Sequence, residues 1–269
     1  MLKTEQRNPN TTHIDRMSAA EMVRVMQEEN RNAVAAIDSE LETIAAAIDA
    51  IAPRMKEGGR LFYIGCGTSG RLGVIDAAEC PPTYGISNDR VVGIIAGGDG
   101  ALRKAVENAE DSAEAGLRDL SAHKITEKDS VIGISAAGGA GYVLSALEYA
   151  KAQGALTVSL TCNAGCPLEE IADIAIHPDT GAEVVTGSTR MKAGSAHKMI
   201  LNMISTAVMV KQGYVYENMM INLKPTNVKL RRRMIGILCE ITGLEAEKSE
   251  ALLEENGFSL PAAIKSFNK

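Results

Sequence analysis

From Gly59 onward the chain alternates short β-branched runs with longer stretches of helical periodicity, and this alternation restricts the fold more than any other feature. The runs are Arg60 to Ile64, Val91 to Ile95, Ser130 to Ile134, Leu156 to Leu160 and Asp173 to Ile176. Helices are expected at Ser69 to Ile75, Ala101 to Leu120, Gly141 to Gln153 and Met191 to Gln212. Strands separated by helices pair in parallel, and such a sheet is apolar on both faces and must be covered on both. The expected fold class is therefore α/β, a three-layer sandwich around a mostly parallel sheet.

Two amphipathic helices precede the sheet, Ser18 to about Asn30 and Asn32 to about Pro53, the second marked by Ile37, Leu41, Ile44, Ile48 and Ile51 at helical spacing. Beyond Lys224-Pro225 come three short helical stretches, Asn227 to Ile241, Glu245 to Asn256 and Ser259 to Ser266, divided by Thr242-Gly243 and Asn256-Gly257 as helix stops. The divisions predict an α/β domain over residues 1–224 that includes the N-terminal helices, followed by a small helical bundle over 225–269. That bundle resembles ubiquitin-associated-type units in helix count and length. A packing role fits it, and ubiquitin binding is not implied.

With 269 residues the chain can bury a core without disulfides or metal. Its five cysteines are odd in number and no N-terminal apolar stretch resembles a signal peptide, which fits a reducing cytoplasm. No run approaches the roughly 20 apolar residues of a membrane span. A net charge of −6 with scattered basic residues argues against nucleic acid as a partner, and the run Lys229 to Arg233 reads as the wet face of a helix. Cys162 and Cys166 lack the further Cys or His ligands that zinc needs, and the four histidines form no i, i+4 pair, so no metal is expected. With no Trp, recognition of a sugar falls to polar side chains and backbone amides.

The segment Leu61-Phe62-Tyr63-Ile64-Gly65-Cys66-Gly67-Thr68-Ser69-Gly70-Arg71 runs from a buried strand through a glycine-rich turn into a helix. Strand ends of this kind are where open parallel sheets bind ligands. Gly65, Gly67 and Gly70 let an anion approach the backbone, Thr68 and Ser69 add hydroxyl donors, and the helix start adds free amides and the positive end of its dipole. The loop matches neither the triphosphate-binding nor the dinucleotide-binding glycine pattern. A sugar phosphate suits it, although a tight turn without ligand has the same sequence. Downstream, Glu79 falls where a helix is expected to stop at Pro81-Pro82, within reach of the same crevice. Glu107, Glu110, Asp111 and Glu114 follow on the next expected helix, where they also read as an ordinary acidic face.

Four stretches tie these features to a family. Gly67-Thr68-Ser69-Gly70-Arg71-Leu72-Gly73, Glu79-Cys80-Pro81-Pro82-Thr83-Tyr84-Gly85, Ala109-Glu110-Asp111-Ser112 and Gly181-Ala182-Glu183-Val184-Val185-Thr186-Gly187-Ser188-Thr189-Arg190-Met191-Lys192-Ala193-Gly194 closely resemble the N-acetylmuramic acid 6-phosphate etherases of the sugar isomerase (SIS) domain superfamily. The likeness runs in order from about Thr4 into a tail shorter than is usual for the family. It implies a SIS-type fold, cleavage of the lactyl ether of N-acetylmuramic acid 6-phosphate to N-acetylglucosamine 6-phosphate and D-lactate, a homodimer with sites near the subunit interface, and no cofactor. It also implies Glu79 and Glu110 as the catalytic pair. Substrate or phosphate contacts are expected from Gly67, Thr68, Ser69, Gly70, Arg71, Ser135, Glu183, Ser188, Thr189 and Lys192, with Arg190 a further source of positive charge. Glu183, Ser188, Thr189 and Lys192 are equally able to cap helices or pair within the fold.

One departure stands out. After the strand Ser130 to Ile134 the family shows Ala-Ser-Gly-Arg-Thr-Pro-Tyr, whereas this chain has Ala136-Ala137-Gly138-Gly139-Ala140-Gly141-Tyr142. Hydrogen bonds to a charged group contribute roughly 1.5–3 kcal/mol each, so losing the Ser, Arg and Thr donors would weaken anion binding. Closer wrapping by a nest of amides would offset the loss. The altered loop leaves open a second function, a weakly active or non-catalytic sugar-phosphate-binding regulator, and an aldose-ketose isomerase is a third.

Overall fold

The computed structural model describes residues 2–225 and 227–268. Contacts divide the chain into two compact units, one of Met1–Ala78 with Asp89–Val208 and one of Glu79–Asn88 with Met209–Lys269.

In the first unit, β1 (Leu61–Gly65), β2 (Val91–Ile95), β3 (Ser130–Ile134), β4 (Leu156–Leu160) and β5 (Ile174–Ile176) form one parallel sheet in the order β2-β1-β3-β4-β5. The strands fall where β-branched runs were expected, to within a residue. Its helices are α1 (Ala19–Ala35), α2 (Leu41–Lys56), α3 (Gly67–Tyr84, whose last turns belong to the second unit), α4 (Ala113–Ser121), α5 (Gly141–Ala152), α6 (Pro167–Ile171) and α7 (Lys192–Lys211). On one face, Phe62, Ile64 and Val131 pack with Leu120 of α4, Tyr142, Val143 and Leu147 of α5, and Leu168 of α6. On the other, Gly73 of α3 lies against Tyr63 and Ile134. Alternation of side chains along each strand thus supplies two apolar layers.

Three expectations need correction. The first helix continues past Asn30 to Ala35, and a 3-10 turn, Asp38–Glu40, separates it from α2. Pro81 and Pro82 do not stop α3; they sit in its last turn, which Gly85 N–H closes onto Pro81 O at 2.9 Å. The helix expected over Ala101 to Leu120 is replaced by a 3-10 turn, Asp99–Leu102, irregular chain, and only then α4, capped by the Ser112 hydroxyl on Ala115 N–H. Asn108 adopts φ 59°, which an uninterrupted helix does not allow. Glu107, Glu110 and Asp111 are therefore on a turn and not on a helix face.

The second unit contains a hairpin that the sequence did not announce, β6 (Val215–Tyr216) with β7 (Met219–Met220), each too short for alternation to register. It also holds α8 (Val228–Thr242), α9 (Ala246–Glu255) and α10 (Leu260–Phe267), the expected three helices. Gly243, at φ 72°, ends α8 in the left-handed conformation. Ile221, Leu223, Met234, Leu238, Leu253, Leu260 and Ile264 form a separate core. In the basic run Lys229, Arg232 and Arg233 are exposed, while Arg231 pairs with Glu250 and Glu254 and covers the Phe258 ring at 4.4 Å.

Buried charge in the first unit is tightly paired. Lys192 at the start of α7 meets Glu29 of α1 at 2.5 Å, both almost wholly buried, and Asn10 Nδ2 donates to the other carboxylate oxygen at 2.9 Å. Asp129 is held by Arg60 through two side-chain bonds and by the Thr126 and Arg60 amides. Removing one partner of such a pair leaves an uncompensated charge. Lys192→Met is therefore expected to lower stability by about 3–5 kcal/mol, with most of it regained in Lys192→Met/Glu29→Gln, measured by urea unfolding. Burial alone would raise the Glu29 and Asp129 carboxyls, but the hydrogen bonds and the adjacent Lys192 and Arg60 charges outweigh it and hold both below their ordinary values. The stabilisation is complete above the ordinary carboxylate range and is lost as pH falls through the depressed values. Urea midpoints should be level above about pH 5 and drop below about pH 4.

Candidate active site

The strand order places a switch point between β1 and β3: chain leaving β1 turns to one side of the sheet and chain leaving β3 to the other. A crevice opens there at the carboxyl ends of the strands. The loop after β1 forms one wall. Gly67 begins α3 two residues past the strand, and Gly70 N–H bonds Cys66 O at 3.2 Å. A Cβ on Gly70 would stand 2.5 Å from Gly65 O and 2.6 Å from Ile95 Cγ1, so only glycine lets the helix begin this close to the sheet. The first amides of α3 have no carbonyl of their own helix to bind, and that of Gly70 is taken by Cys66 O. Thr68 is turned toward α7, whose Gly194 would place a Cβ 3.3 Å from Thr68 Cγ2.

Beside this helix start is a cavity of about 360 Å³ lined by Cys66, Gly67, Arg71, Ala101 and residues 105–110, ending at Glu110. It brings together the expected Gly67, Arg71 and Glu110. Glu110 is exposed, and its own carbonyl accepts Tyr142 N–H, in the first turn of α5, at 3.0 Å. Burial, and then the Glu110 and Asp111 charges, push the Cys66 thiol up to about 12, so it stays protonated and is no nucleophile. Arg71 directs its guanidinium to Ala101 O and Leu102 O.

The loop after β3 leaves the sheet on the other side of the switch point. Its own side chains supply little, so its shape comes from the main chain and from neighbours. Gly138 N–H bonds both the carbonyl and the hydroxyl oxygen of Ser135, Gly138 O accepts Leu168 N–H, and Cys162 N–H reaches Ala136 O. Asn163 fixes the same point from outside: its Nδ2 donates to Ala136 O at 2.8 Å and Thr4 Oγ1 at 3.0 Å, while its Oδ1 accepts Lys3 N–H at 2.8 Å. The N-terminal segment continues across the segment before α7, with Asn8 Nδ2 on Ala182 O and Thr11 Oγ1 on Val184 O. Ala140 stands at the N-cap of α5 without a side-chain cap, and nothing lies within 4 Å of a Cβ built on Gly139.

The remaining expected residues divide into two groups. Ser188 and Thr189 are half-buried in the turn before α7, where Gly194 N–H bonds Thr189 O. Glu183 is fully buried and caps α7, its two oxygens accepting the Lys192 and Ala193 amides at 3.0 Å each, and the Lys192 ammonium is engaged by Glu29. Both hold the frame behind the crevice. Glu79 is exposed, twelve residues beyond Gly67 on α3, and is not among the residues lining this cavity. No group of three or more His, Cys, Asp or Glu suited to a metal ion occurs among the described residues. His197, buried and in contact with Cys162 Sγ at 3.3 Å, is driven down to about 4 by that burial and stays neutral.

Comparison with known proteins identifies the scaffold and its kin. Models of the glucokinase regulatory protein N-terminal SIS domain and of the SIS domain match residues 43–151 and 102–209. The chain is 52% identical to the N-acetylmuramic acid 6-phosphate etherase of Caldanaerobacter subterraneus subsp. tengcongensis over 98% of this chain and 86% of that protein. It is 49% identical to N-acetylmuramic acid 6-phosphate etherase 1 of Vibrio cholerae over 98% and 88%. This chain belongs to the N-acetylmuramic acid 6-phosphate etherase family. A phosphoheptose isomerase from Francisella tularensis shares the fold, with a TM-score of 0.56 at 18% identity over 72% of this chain and all of the other.

Within the etherase fold, sequence reasoning missed Asn163 and the Tyr142 amide, since neither has a local motif; their partners lie 27 and 32 residues away. The bare N-cap of α5 yields a direct test. Ala140 already has the extended backbone of a capping residue, φ −65° and ψ 115°. Ala140→Thr is expected to stabilise the protein by about 0.5–2 kcal/mol, read as a rise in thermal midpoint.

Proposed function

We propose that this etherase cleaves the D-lactyl ether of N-acetylmuramic acid 6-phosphate, giving N-acetylglucosamine 6-phosphate and D-lactate in cell-wall amino-sugar recycling. The observation that carries the reading is near full-length identity of about half to proteins of that name, in a chain whose Glu110 shares a cavity with the phosphate-type loop. The substrate's phosphate is assigned to the loop Gly67, Thr68, Ser69 and Gly70, through the amides of its first residues and the two hydroxyls, with Ser135, Ser188 and Thr189 around the sugar.

Cleavage by elimination requires ring opening to an aldehyde, which acidifies the C2 proton, then a base at C2 and an acid for the departing lactate oxygen. Water adds back to the unsaturated aldehyde. Two carboxyl groups suffice when one is ionised and the other protonated at the start of the step. Glu110 is assigned as the base and Glu79 as the proton donor to lactate. Glu110 stands on a turn clamped at α5, and Glu79 is exposed on α3. The assignment goes with a cytoplasmic homodimer whose sites lie near the subunit interface, and with a C-terminal bundle, residues 225–269, that serves in packing. Among the described residues no helix is long and apolar enough to cross a membrane.

Incubating the purified protein with N-acetylmuramic acid 6-phosphate should release D-lactate, and Glu79→Gln and Glu110→Gln should each lower the rate by about 10²- to 10⁴-fold. Saturable binding of a hexosamine 6-phosphate with no lactate would replace the enzyme by a sensor. Full activity in both variants would remove the two-carboxylate mechanism.

A further inference from the structure

Arg71 lies one residue beyond Gly70 and lines the cavity, the position of a phosphate ligand, yet its donors are turned elsewhere. Nη2 donates to Ala101 O at 2.7 Å and Nε to Leu102 O at 3.2 Å. Both carbonyls belong to the 3-10 turn Asp99–Leu102, where the segment that bears Glu110 begins. The same segment is fixed again at its far end, by Tyr142 N–H on Glu110 O. Between the two clamps residues 103–109 form neither helix nor strand, and their near ties are short turns such as Lys104 N–H on Gly100 O. Irregular chain of this length is free to take many conformations unless its ends are held. The clamps therefore hold the backbone at both ends of the segment that carries Glu110.

We infer that Arg71 is a positioning residue for the etherase reaction, holding the Glu110 segment at a fixed distance from the phosphate-binding start of α3, and is not the phosphate's ligand. The inference rests on the etherase reading. A guanidinium holds its N–H groups in a rigid plane and here bonds two successive carbonyls from two different nitrogens, an arrangement that the rotating three donors on lysine's one nitrogen do not fix. Charge-assisted bonds to carbonyls are also stronger than neutral ones. Because Arg71 belongs to the first turns of α3, any shift of the phosphate loop is carried by its side chain to the turn preceding Glu110. Seating of the phosphate and placement of the base become one mechanical event.

The test compares the full-length protein with Arg71→Lys and Arg71→Met in three measurements. D-Lactate release gives kcat and KM, inhibition by N-acetylglucosamine 6-phosphate reports phosphate seating without turnover, and amide hydrogen exchange follows residues 99–111 in ligand-free protein. Positioning predicts a loss of about 30- to 100-fold in kcat in both variants, with KM and the inhibition constant within about threefold of wild type. Exchange should speed up in 99–111 and not elsewhere. A tenfold or larger rise in KM and inhibition constant in Arg71→Met, largely restored in Arg71→Lys, would mark Arg71 as a phosphate ligand and overturn the inference. Unchanged exchange in 99–111, or faster exchange throughout the sheet, would overturn it too. If wild-type protein releases no lactate the etherase reading fails, while exchange and inhibitor binding still decide the role of Arg71.

Discussion

The whole site depends on one close approach. Where β1 ends, α3 begins, and the carbonyl of Gly65 occupies the space that any side chain at Gly70 would need. This contact puts the free amides of a helix at the switch point of the sheet, turns Thr68 toward α7, and sends Arg71 across to the turn after β2. A single methyl group there would push the helix off the strand end and separate all three. The glycines of the loop are thus a packing requirement before they are a binding device.

The same physics explains what could be read from the sequence. Strands buried on both faces must be continuous apolar runs, so β1 to β4 announced themselves, and α8 to α10 were delimited by Gly243 and Gly257 acting as helix ends. Where local preference and distant contact disagreed, the sequence misled. Pro81 and Pro82 each remove an amide donor, yet α3 runs through them to Tyr84 and ends there. Residues 101–112 have helical composition, yet the carbonyls that would continue a helix are taken by Arg71, and Glu110 O is taken by Tyr142.

The residues expected at the site were brought together in part. Gly67, Arg71 and Glu110 line one cavity, because the first two start the helix after β1 and the third lies on the turn that follows β2. Lys192 and Glu183 were open to two readings, as substrate contacts or as partners within the fold, and here Glu183 caps α7 while Lys192 pairs with Glu29. Glu29 is 163 residues from Lys192, and no local pattern could have revealed a buried pair across that span. The second loop shows the reverse. Ala137, Gly139 and Ala140 offer no side-chain donors, and Asn163, Cys162 and Leu168 hold the loop from outside.

The junction at Asn163 has a practical side. One asparagine joins the chain's third and fourth residues to the carbonyl of Ala136, so the amino terminus and the second loop share a single fastening. A change in that one side chain would release both stretches at once, although they are far apart in the sequence.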